Sequence, residues 1–333
     1  MSDPKDNPVF ETALAYQKTA ALIAAVKLDI FTVIGSQRMT AEELAGYTGA
    51  SPRGLRILCD FLTVIELLKK EGSTYALTNS ARIMLDESSP FAIGSIVDFV
   101  AAPEMLRLFF DDPVSYVRGG GAEGLSNIAP DNPIWIRFAQ AMTPLASTTA
   151  KRVAAYVTAS PAPVRSVLDV AAGHGLYGIE IAKVISNAVV TAIDSAGVLN
   201  VARANAEAAG VERRYRTLAG NALAIEWGSG FDLVLLPNFL HHFSIEACTL
   251  LLKKAKDSLA DNGRALAVDF IPNEDRISPS LPARFAFWML ASTPNGDAYT
   301  ARELDEMARK AGFSAATTRP LLPTPESLII LER

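Results

Sequence analysis

The chain has 333 residues, which is length for two domains, each able to bury its own core. Half the residues are apolar, a fifth are charged and the formal net charge is −5, so nucleic acid is disfavoured as the main partner, because neutralising phosphates needs clustered Lys and Arg. Only two cysteines occur, Cys59 and Cys248, the first residues are polar and acidic, and no apolar run approaches the roughly 20 residues of a membrane span; the expectation is a soluble, cytoplasmic protein without a disulfide framework, signal peptide or membrane contact.

Residues 10–30 are predicted as one helix. Its centre, Ala20-Ala21-Leu22-Ile23-Ala24-Ala25-Val26, is apolar on every face, the pattern of a helix buried all round, which points to a partner subunit. Thr40-Ala41-Glu42-Glu43 is a capping box that opens a short helix. Ser51-Pro52 starts another, in which Leu55, Leu58, Leu62 and Ile65 recur at helical spacing. Residues 69–77, with Glu71-Gly72-Ser73 in the middle, read as a hairpin. Helix, helix, hairpin is the order of a winged helix. Residues 1–100 hold nine Lys/Arg against twelve Asp/Glu, and the helix that would read DNA carries only Arg53 and Arg56. A DNA reader shows a basic face, so packing or dimerisation is the expected role. Residues 91–110 are again helical and apolar. Residues 118–124 are glycine-rich and read as a flexible surface loop. Residues 131–159 read as a helix broken near Pro144, followed by the connector Ser160-Pro161-Ala162-Pro163.

The next stretch organises the rest: Val167-Leu168-Asp169-Val170-Ala171-Ala172-Gly173-His174-Gly175-Leu176-Tyr177-Gly178. A strand led in by residues 164–166 passes through small residues into a helix at 176–185. A second apolar run, 188–193, ends at Asp194. Gly173 and Gly175 permit a tight turn and close approach to a ligand. The helix start offers unpaired N–H groups, and Asp194 can accept two hydrogen bonds from a ribose diol. The unit therefore reads as a nucleoside site. Gly173, Gly175 and Gly178 spell G-x-G-x-x-G, with Asp194 19 residues past Gly175, which fits the NAD fingerprint. The same residues fit the Asp-x-Gly-x-Gly-x-Gly loop of S-adenosylmethionine enzymes, with Ala171 in place of the first glycine.

Strands and helices then alternate: helix 198–209 ended by Gly210, strand 215–219 before Gly220-Asn221, strand 231–236, helix 245–259 behind Ser244, strand 264–270 entered through Asn262-Gly263, and helix 301–311 closed by Gly312. Strands 315–319 and 327–331 have no helix between them. The fold class is α/β, a Rossmann-like, mainly parallel sheet with an antiparallel hairpin at its C-terminal edge, preceded by the mostly α winged-helix domain. A dinucleotide fold needs two mononucleotide halves. Here one run of strands closes on a hairpin behind a helical domain, which favours S-adenosylmethionine over NAD. The three histidines, His174, His241 and His242, all fall at carboxyl ends of strands, where ligands bind in open α/β sheets.

These features resemble the small-molecule O-methyltransferases of the hydroxyindole and caffeic-acid type, in their bacterial branch. The resemblance runs from Ala25-Val26-Lys27-Leu28-Asp29-Ile30-Phe31 through Tyr75-Ala76-Leu77-Thr78, the glycine loop and the His pair to Ala311-Gly312-Phe313. It implies a dimerisation domain over 1–105 and a methyltransferase domain over 106–333, with a helical linker and lid at 106–163 and the core at 164–333. It implies a homodimer, S-adenosylmethionine as cofactor and no metal. The family's ribose carboxylate falls on Asp194 and its glycine loop on 171–175. Its Gly-Asp pair near the adenine becomes Gly220-Asn221. Asp169, Ala171, Gly173, Gly175, Asp194, Ser195, Asn221, Ala222 and Asn238 are the candidate cofactor residues.

The family's general base falls on His241 and its flanking acid on Asp269. A second flanking acid has no match in register, Asp297 being one residue out. Adjacent loop residues rarely point the same way, so His241 and not His242 is expected to be the base. Trp135, Phe138, Met142, Phe285, Phe287, Trp288 and Met289 are candidates for an apolar acceptor pocket, with Phe138, Met142, Phe285, Met289 and Asp297 as the substrate set; they suit a flat aromatic acceptor. A phenol with a pKa of about 10 is only roughly 0.1% ionised at pH 7, so a base that takes its proton during attack is worth about 10²–10⁴-fold. Methyl transfer to nitrogen or carbon on the same scaffold is the alternative. From another class, the alternative is a non-enzymatic winged-helix regulator or an NAD-binding protein.

Overall fold

In the computed structural model, which describes residues 7–124 and 133–333, the chain divides into two units, Met1–Leu106 and Arg107–Arg333. The first unit opens with three short helices, Pro8–Ala13, Ala15–Lys27 and Ile30–Ile34. The single helix expected over 10–30 is thus interrupted at Leu14 and again at Asp29, which takes the left-handed conformation (φ 57) that short polar side chains tolerate. Within Ala20–Val26 only Ala25 is fully buried in this chain; Ala21, Leu22 and Val26 are half-buried against the unit's core, and Ala20 is exposed.

The capping box at Thr40 is complete: Thr40 Oγ accepts the Glu43 N–H at 3.2 Å and Glu43 accepts the Thr40 N–H at 2.7 Å. It starts helix Ala41–Thr48, which packs against Pro52–Val64. Strands β1 (Met39–Thr40), β2 (Leu68–Glu71) and β3 (Thr74–Leu77) form an antiparallel sheet in the order β1-β3-β2. The Tyr75 hydroxyl donates to Asp60 at 2.7 Å and ties this wing to the second helix. Ile30, Phe31, Leu44, Leu55, Leu62 and Tyr75 fill the core between them. The helix expected over 91–110 is split into Val97–Val100 and Pro103–Phe110, because Pro103 suits the first position of a new helix better than the interior of an old one.

In the second unit the glycine-rich stretch 118–124 is not a free loop. Helix Pro113–Gly119 ends on left-handed Gly120, and Ala122 N–H donates to Thr293 O at 2.9 Å. Gly121 and Gly124 lie so close to the backbone of 292–294 that neither has room for a Cβ. The long helix Pro133–Ala159 runs through Pro144 without a break; the start expected at 131–132 lies outside the described residues. Pro144 deprives Gln140 of its helical donor, but both residues are exposed and water can serve that carbonyl. The opposite face, with Ala146, Ala150, Val153 and Val157, is buried and holds the helix straight on its packing.

The main sheet contains β4 (Ser166–Val170), β5 (Val189–Asp194), β6 (Tyr215–Ala219), β7 (Phe231–Pro237), β8 (Leu259–Asp269), β9 (Ala315–Pro320) and β10 (Ser327–Glu332), in the order β6-β5-β4-β7-β8-β10-β9. The first five in this order are parallel. β10 runs antiparallel to β8 and to β9, so the closing hairpin inserts its second strand and leaves β9 at the edge. β8 begins at Leu259, five residues before the expected start, because a bulge lets Leu259 pair with Phe231 and places Asn262-Gly263 inside the strand. Apolar cores cover both faces, one around Val153, Val157 and Leu235, the other around Leu168, Val234 and Leu252. Helix Ser280–Ser292 is absent from the sequence reading; its apolar residues lie on several sides and give no clear stripe. The parallel strands bring five carboxyl ends to one side. The order in which successive strands are laid down reverses between β4 and β7, the switch point where open sheets leave a crevice.

Candidate active site

The loop after β4 is held from two directions. Asp194, at the tip of β5, accepts the Gly173 N–H at 2.9 Å and the Ser195 N–H at 2.7 Å. Burial raises its pKa above the carboxylate norm, and those two donors oppose the rise. Ala171, Gly173 and Gly175 all have positive φ (53, 57 and 77), so the turn is a left-handed nest of backbone. A Cβ on Gly173 would meet nothing nearer than 4.0 Å, which leaves that face open to a ligand. Gly175 differs: a Cβ there would run into the Tyr215 hydroxyl and Ala202. It is glycine because the loop packs on β6, and the clearance for a ligand comes from Gly173.

Asp169 lies beneath this loop, fully buried. Its Oδ2 accepts the Gly178 N–H at 3.0 Å, and its Oδ1 has no partner among the described residues. Burial pushes its pKa up to about 8 against the pull of Gly178. The His174 ring is buried and accepts the Leu176 N–H through Nδ1, while its carbonyl accepts the Asn205 amide. Burial lowers its pKa to about 4, so it is a neutral part of the loop. On the far rim Asn221 is exposed and caps the Leu223 N–H at 2.9 Å. The Ala222 carbonyl is taken by Trp227 Nε1 (2.8 Å) and Lys254 Nζ (3.1 Å). Asn238 has φ 51, donates its N–H to Val268 O at 2.7 Å and its amide to the Tyr177 hydroxyl at 3.2 Å; its Oδ1 is buried and without a partner among the described residues.

After β7 a single turn, Leu240–His242, presents both histidines. His241 is 4% exposed. Its Nδ1 lies 2.7 Å from Asp269 Oδ1, at the end of the neighbouring strand, and that oxygen also accepts the Phe270 N–H at 2.9 Å. Nδ1 is therefore the donor, and in the neutral ring Nε2 is the bare nitrogen. The Phe285 ring stands edge-on to His241 at 4.8 Å and leans on Phe270 at 4.3 Å. The expectation that the two histidines diverge is overturned: the turn brings their rings to 4.3 Å and their Nε2 atoms to 3.1 Å.

Asp297 reaches His241 through its backbone, donating its N–H to the His241 carbonyl at 3.0 Å. Its carboxylate takes the Ala298 N–H (2.8 Å) and pairs with Arg276 (3.2 Å), which also grips Glu303 at 2.5 Å. Of the pocket candidates, Phe285 is brought to the His pair. Met289 is buried in the packing of its helix, and Phe138 and Met142 are half-buried on Pro133–Ala159. Phe287 and Trp288 turn to Phe109 and Tyr116 instead. Sequence reasoning misses Phe270, Tyr177, Arg276 and Glu326. Glu326 is a half-buried carboxylate that accepts from Thr149 Oγ1 at 3.3 Å, with its pKa raised by burial. A Glu in a proline-rich turn looks solvated in the sequence, so no local signal marks it. Among the described residues no group of three or more His, Cys, Asp or Glu could hold a metal ion, and no helix is long and apolar enough to cross a membrane.

Residues 108–314 match the O-methyltransferase domain family and residues 10–87 the O-methyltransferase dimerisation domain. The solved structure of a candidate O-methyltransferase from Nostoc punctiforme PCC 73102 is 40% identical, with all of both chains covered and a TM-score of 0.93. The 3-hydroxy-5-methyl-1-naphthoate 3-O-methyltransferase of Streptomyces sahachiroi is 28% identical over 315 residues, 92% of this chain and 89% of its own. Human N-acetylserotonin methyltransferase, solved with S-adenosylmethionine, is 19% identical and shares the fold at a TM-score of 0.84, with 99% and 98% of the two chains covered. Most of the chain thus falls within one catalytic-domain family, with that family's dimerisation domain ahead of it, and the protein belongs to the O-methyltransferases.

Proposed function

We propose that the enzyme methylates a hydroxyl on a small aromatic acceptor, with S-adenosylmethionine as methyl donor, His241 as general base and no metal. The observation that carries this reading is the contact between His241 Nδ1 and Asp269 Oδ1 at 2.7 Å, at the carboxyl ends of β7 and β8. The relatives support the cofactor: the human enzyme named above was solved with it. The residues fit it as well. Gly173 leaves its face open, Asp194 has lone pairs left for a ribose diol, and Asn238 Oδ1 is a buried acceptor still wanting a donor. Asp169 serves from below by holding Gly178. Ser195, Asn221 and Ala222 border the adenosine end.

When bound, S-adenosylmethionine supplies a methyl group on a sulfonium, already a good leaving group. The protein's task is to deliver the nucleophile in line and take its proton. The acceptor O–H would give its proton to His241 Nε2, and bound S-adenosylmethionine would supply the methyl group that the oxygen takes up. Asp269 keeps His241 in the tautomer whose Nε2 is bare, and Phe285 supports the ring from one side. Phe138, Met142 and Met289 contribute the apolar setting, and Asp297 acts through its backbone on His241.

The test is transfer of labelled methyl from S-adenosylmethionine to 2-naphthol, 3-hydroxy-5-methyl-1-naphthoate, 2-naphthylamine and an activated carbon acid. An O-methyl ether is expected. A product methylated only at nitrogen or carbon, or binding of NAD in place of S-adenosylmethionine, would sink the reading. A homodimer formed by the first unit is part of the proposal, supported by the dimerisation-domain match over residues 10–87 and by the exposed Ala20 and half-buried residues 21–24 in one chain. Light scattering should give twice the chain mass at micromolar concentration; a monomer would contradict it.

A further inference from the structure

The proposed methyl transfer makes no use of His242, although its Nε2 lies 3.1 Å from the Nε2 of His241. The chemistry of the pair is constrained. Asp269 Oδ1 receives the Phe270 N–H and also His241 Nδ1, so Nδ1 carries the His241 proton. In the neutral ring, the form able to act as base, there is one N–H, which leaves His241 Nε2 as a lone pair. Two bare lone pairs at this distance would repel, so His242 Nε2 bears a proton and donates. Burial holds His242 well below the usual histidine range, so the donor is a neutral imidazole.

The titratable groups around the pair each have another partner. The Asp297 carboxylate faces Arg276. The Tyr299 hydroxyl donates to Phe243 O and the Cys248 thiol to Leu240 O. Tyr177 is bonded to Asn238, and Glu326 accepts from Thr149.

We infer that His242 is a positioning residue whose Nε2–H caps the lone pair of His241 while no acceptor is bound, so that the acceptor's hydroxyl must replace it. This rests on the reading of His241 as the base. One imidazole lone pair accepts one strong hydrogen bond, so an acceptor O–H and the His242 N–H compete for the same nitrogen. The competition selects for a donor. An acceptor that brings O–H to Nε2 restores the bond it breaks, whereas a C–H or an ether placed there leaves the nitrogen unpaired. The methylated product has no O–H, so once His241 releases its proton, His242 closes over it again.

Because the chain has three histidines, nitrogen spectra of protein labelled with ¹⁵N-histidine can be assigned with His174→Gln and His242→Gln variants. Without any acceptor, His242 should be protonated at Nε2 and bare at Nδ1. His241 should be protonated at Nδ1 and bare at Nε2, with a coupling through the hydrogen bond between the two Nε2 atoms. A His242 protonated at Nδ1, or no such coupling, overturns the inference. A second readout uses 2-naphthol as acceptor at saturating S-adenosylmethionine. His242→Leu should lower KM for 2-naphthol by about 2–10-fold, the value of one net hydrogen bond no longer displaced, with kcat little changed, because His242 has already given up that contact when the acceptor is bound. His242→Gln, whose amide can donate in its place, should move KM back toward the wild type. A merely structural role would cut kcat with KM unchanged or raised and no rescue by Gln, and that result would refute the inference. If the wild type does not methylate 2-naphthol, the preceding reading fails on that acceptor, and the spectra, which need none, still decide the cap.

Discussion

The hydroxyl of Tyr215, on β6, fills the space that a Cβ on Gly175 would occupy. The second glycine of the loop is thereby tied to a strand 40 residues further on. Gly175→Ala should cost about 2–4 kcal/mol, about 1–2 for the left-handed backbone and the rest for the overlap. The Tyr215 hydroxyl is buried with no partner among the described residues, so Tyr215→Phe should leave the melting temperature unchanged or raise it. It should also recover part of the loss in the double variant. Thermal melts of the four proteins test this; a Gly175→Ala protein as stable as wild type would refute it.

His241→Ala should lower turnover of an accepted phenol by about 10²–10⁴-fold. Affinity for S-adenosylmethionine should hardly change, because the imidazole serves the acceptor. Asp269→Asn should cost less, since it disturbs the tautomer and leaves the base in place. Single-turnover rates, with calorimetry for the cofactor, separate these outcomes. Near-normal rates in His241→Ala would remove it from the mechanism.

Asp194→Ala should weaken S-adenosylmethionine by about 10–100-fold, the loss of a charged acceptor worth about 1.5–3 kcal/mol. It should also lower the melting temperature, because Asp194 receives the Gly173 and Ser195 N–H groups. Asp194→Asn keeps one acceptor oxygen and should be milder in both. Unchanged cofactor affinity in Asp194→Ala would show that the carboxylate serves the loop alone.

Asp169 sets a pH dependence. Its folded pKa, about 8, lies above the ordinary aspartate value of 3.8, so the folded state holds that proton more tightly than the unfolded chain. This contribution to stability is fully present below about pH 4 and is lost as pH rises through about 8. Asp169→Asn should flatten that part of the profile while keeping an acceptor for the Gly178 N–H. Denaturant titrations from pH 5 to 9 read the difference between variant and wild type. Parallel profiles would mean that Asp169 ionises freely.

The sequence by itself determined the winged-helix order, the run of strands, the closing hairpin, the glycine loop with Asp194, and the family's register on His241 and Asp269. Those features are written locally, in side-chain period, capping residues and turn chemistry, or as short motifs whose spacing survives in the chain. What depends on contact between distant segments was decided only by the tertiary structure. The helix through Pro144 stays whole because its buried face packs and its freed carbonyl is exposed. The glycines at 121 and 124 are required by the backbone at 292–294. Asp297 turns to Arg276, whose reach across 21 residues no local pattern encodes. Helix Ser280–Ser292, apolar on several sides, shows no face until its neighbours choose one. The convergence of His241 and His242 has the same origin: a 3.1 Å contact between adjacent side chains depends on one tight turn and on the walls that Asp269 and Phe285 supply, and sequence adjacency alone leaves those directions open.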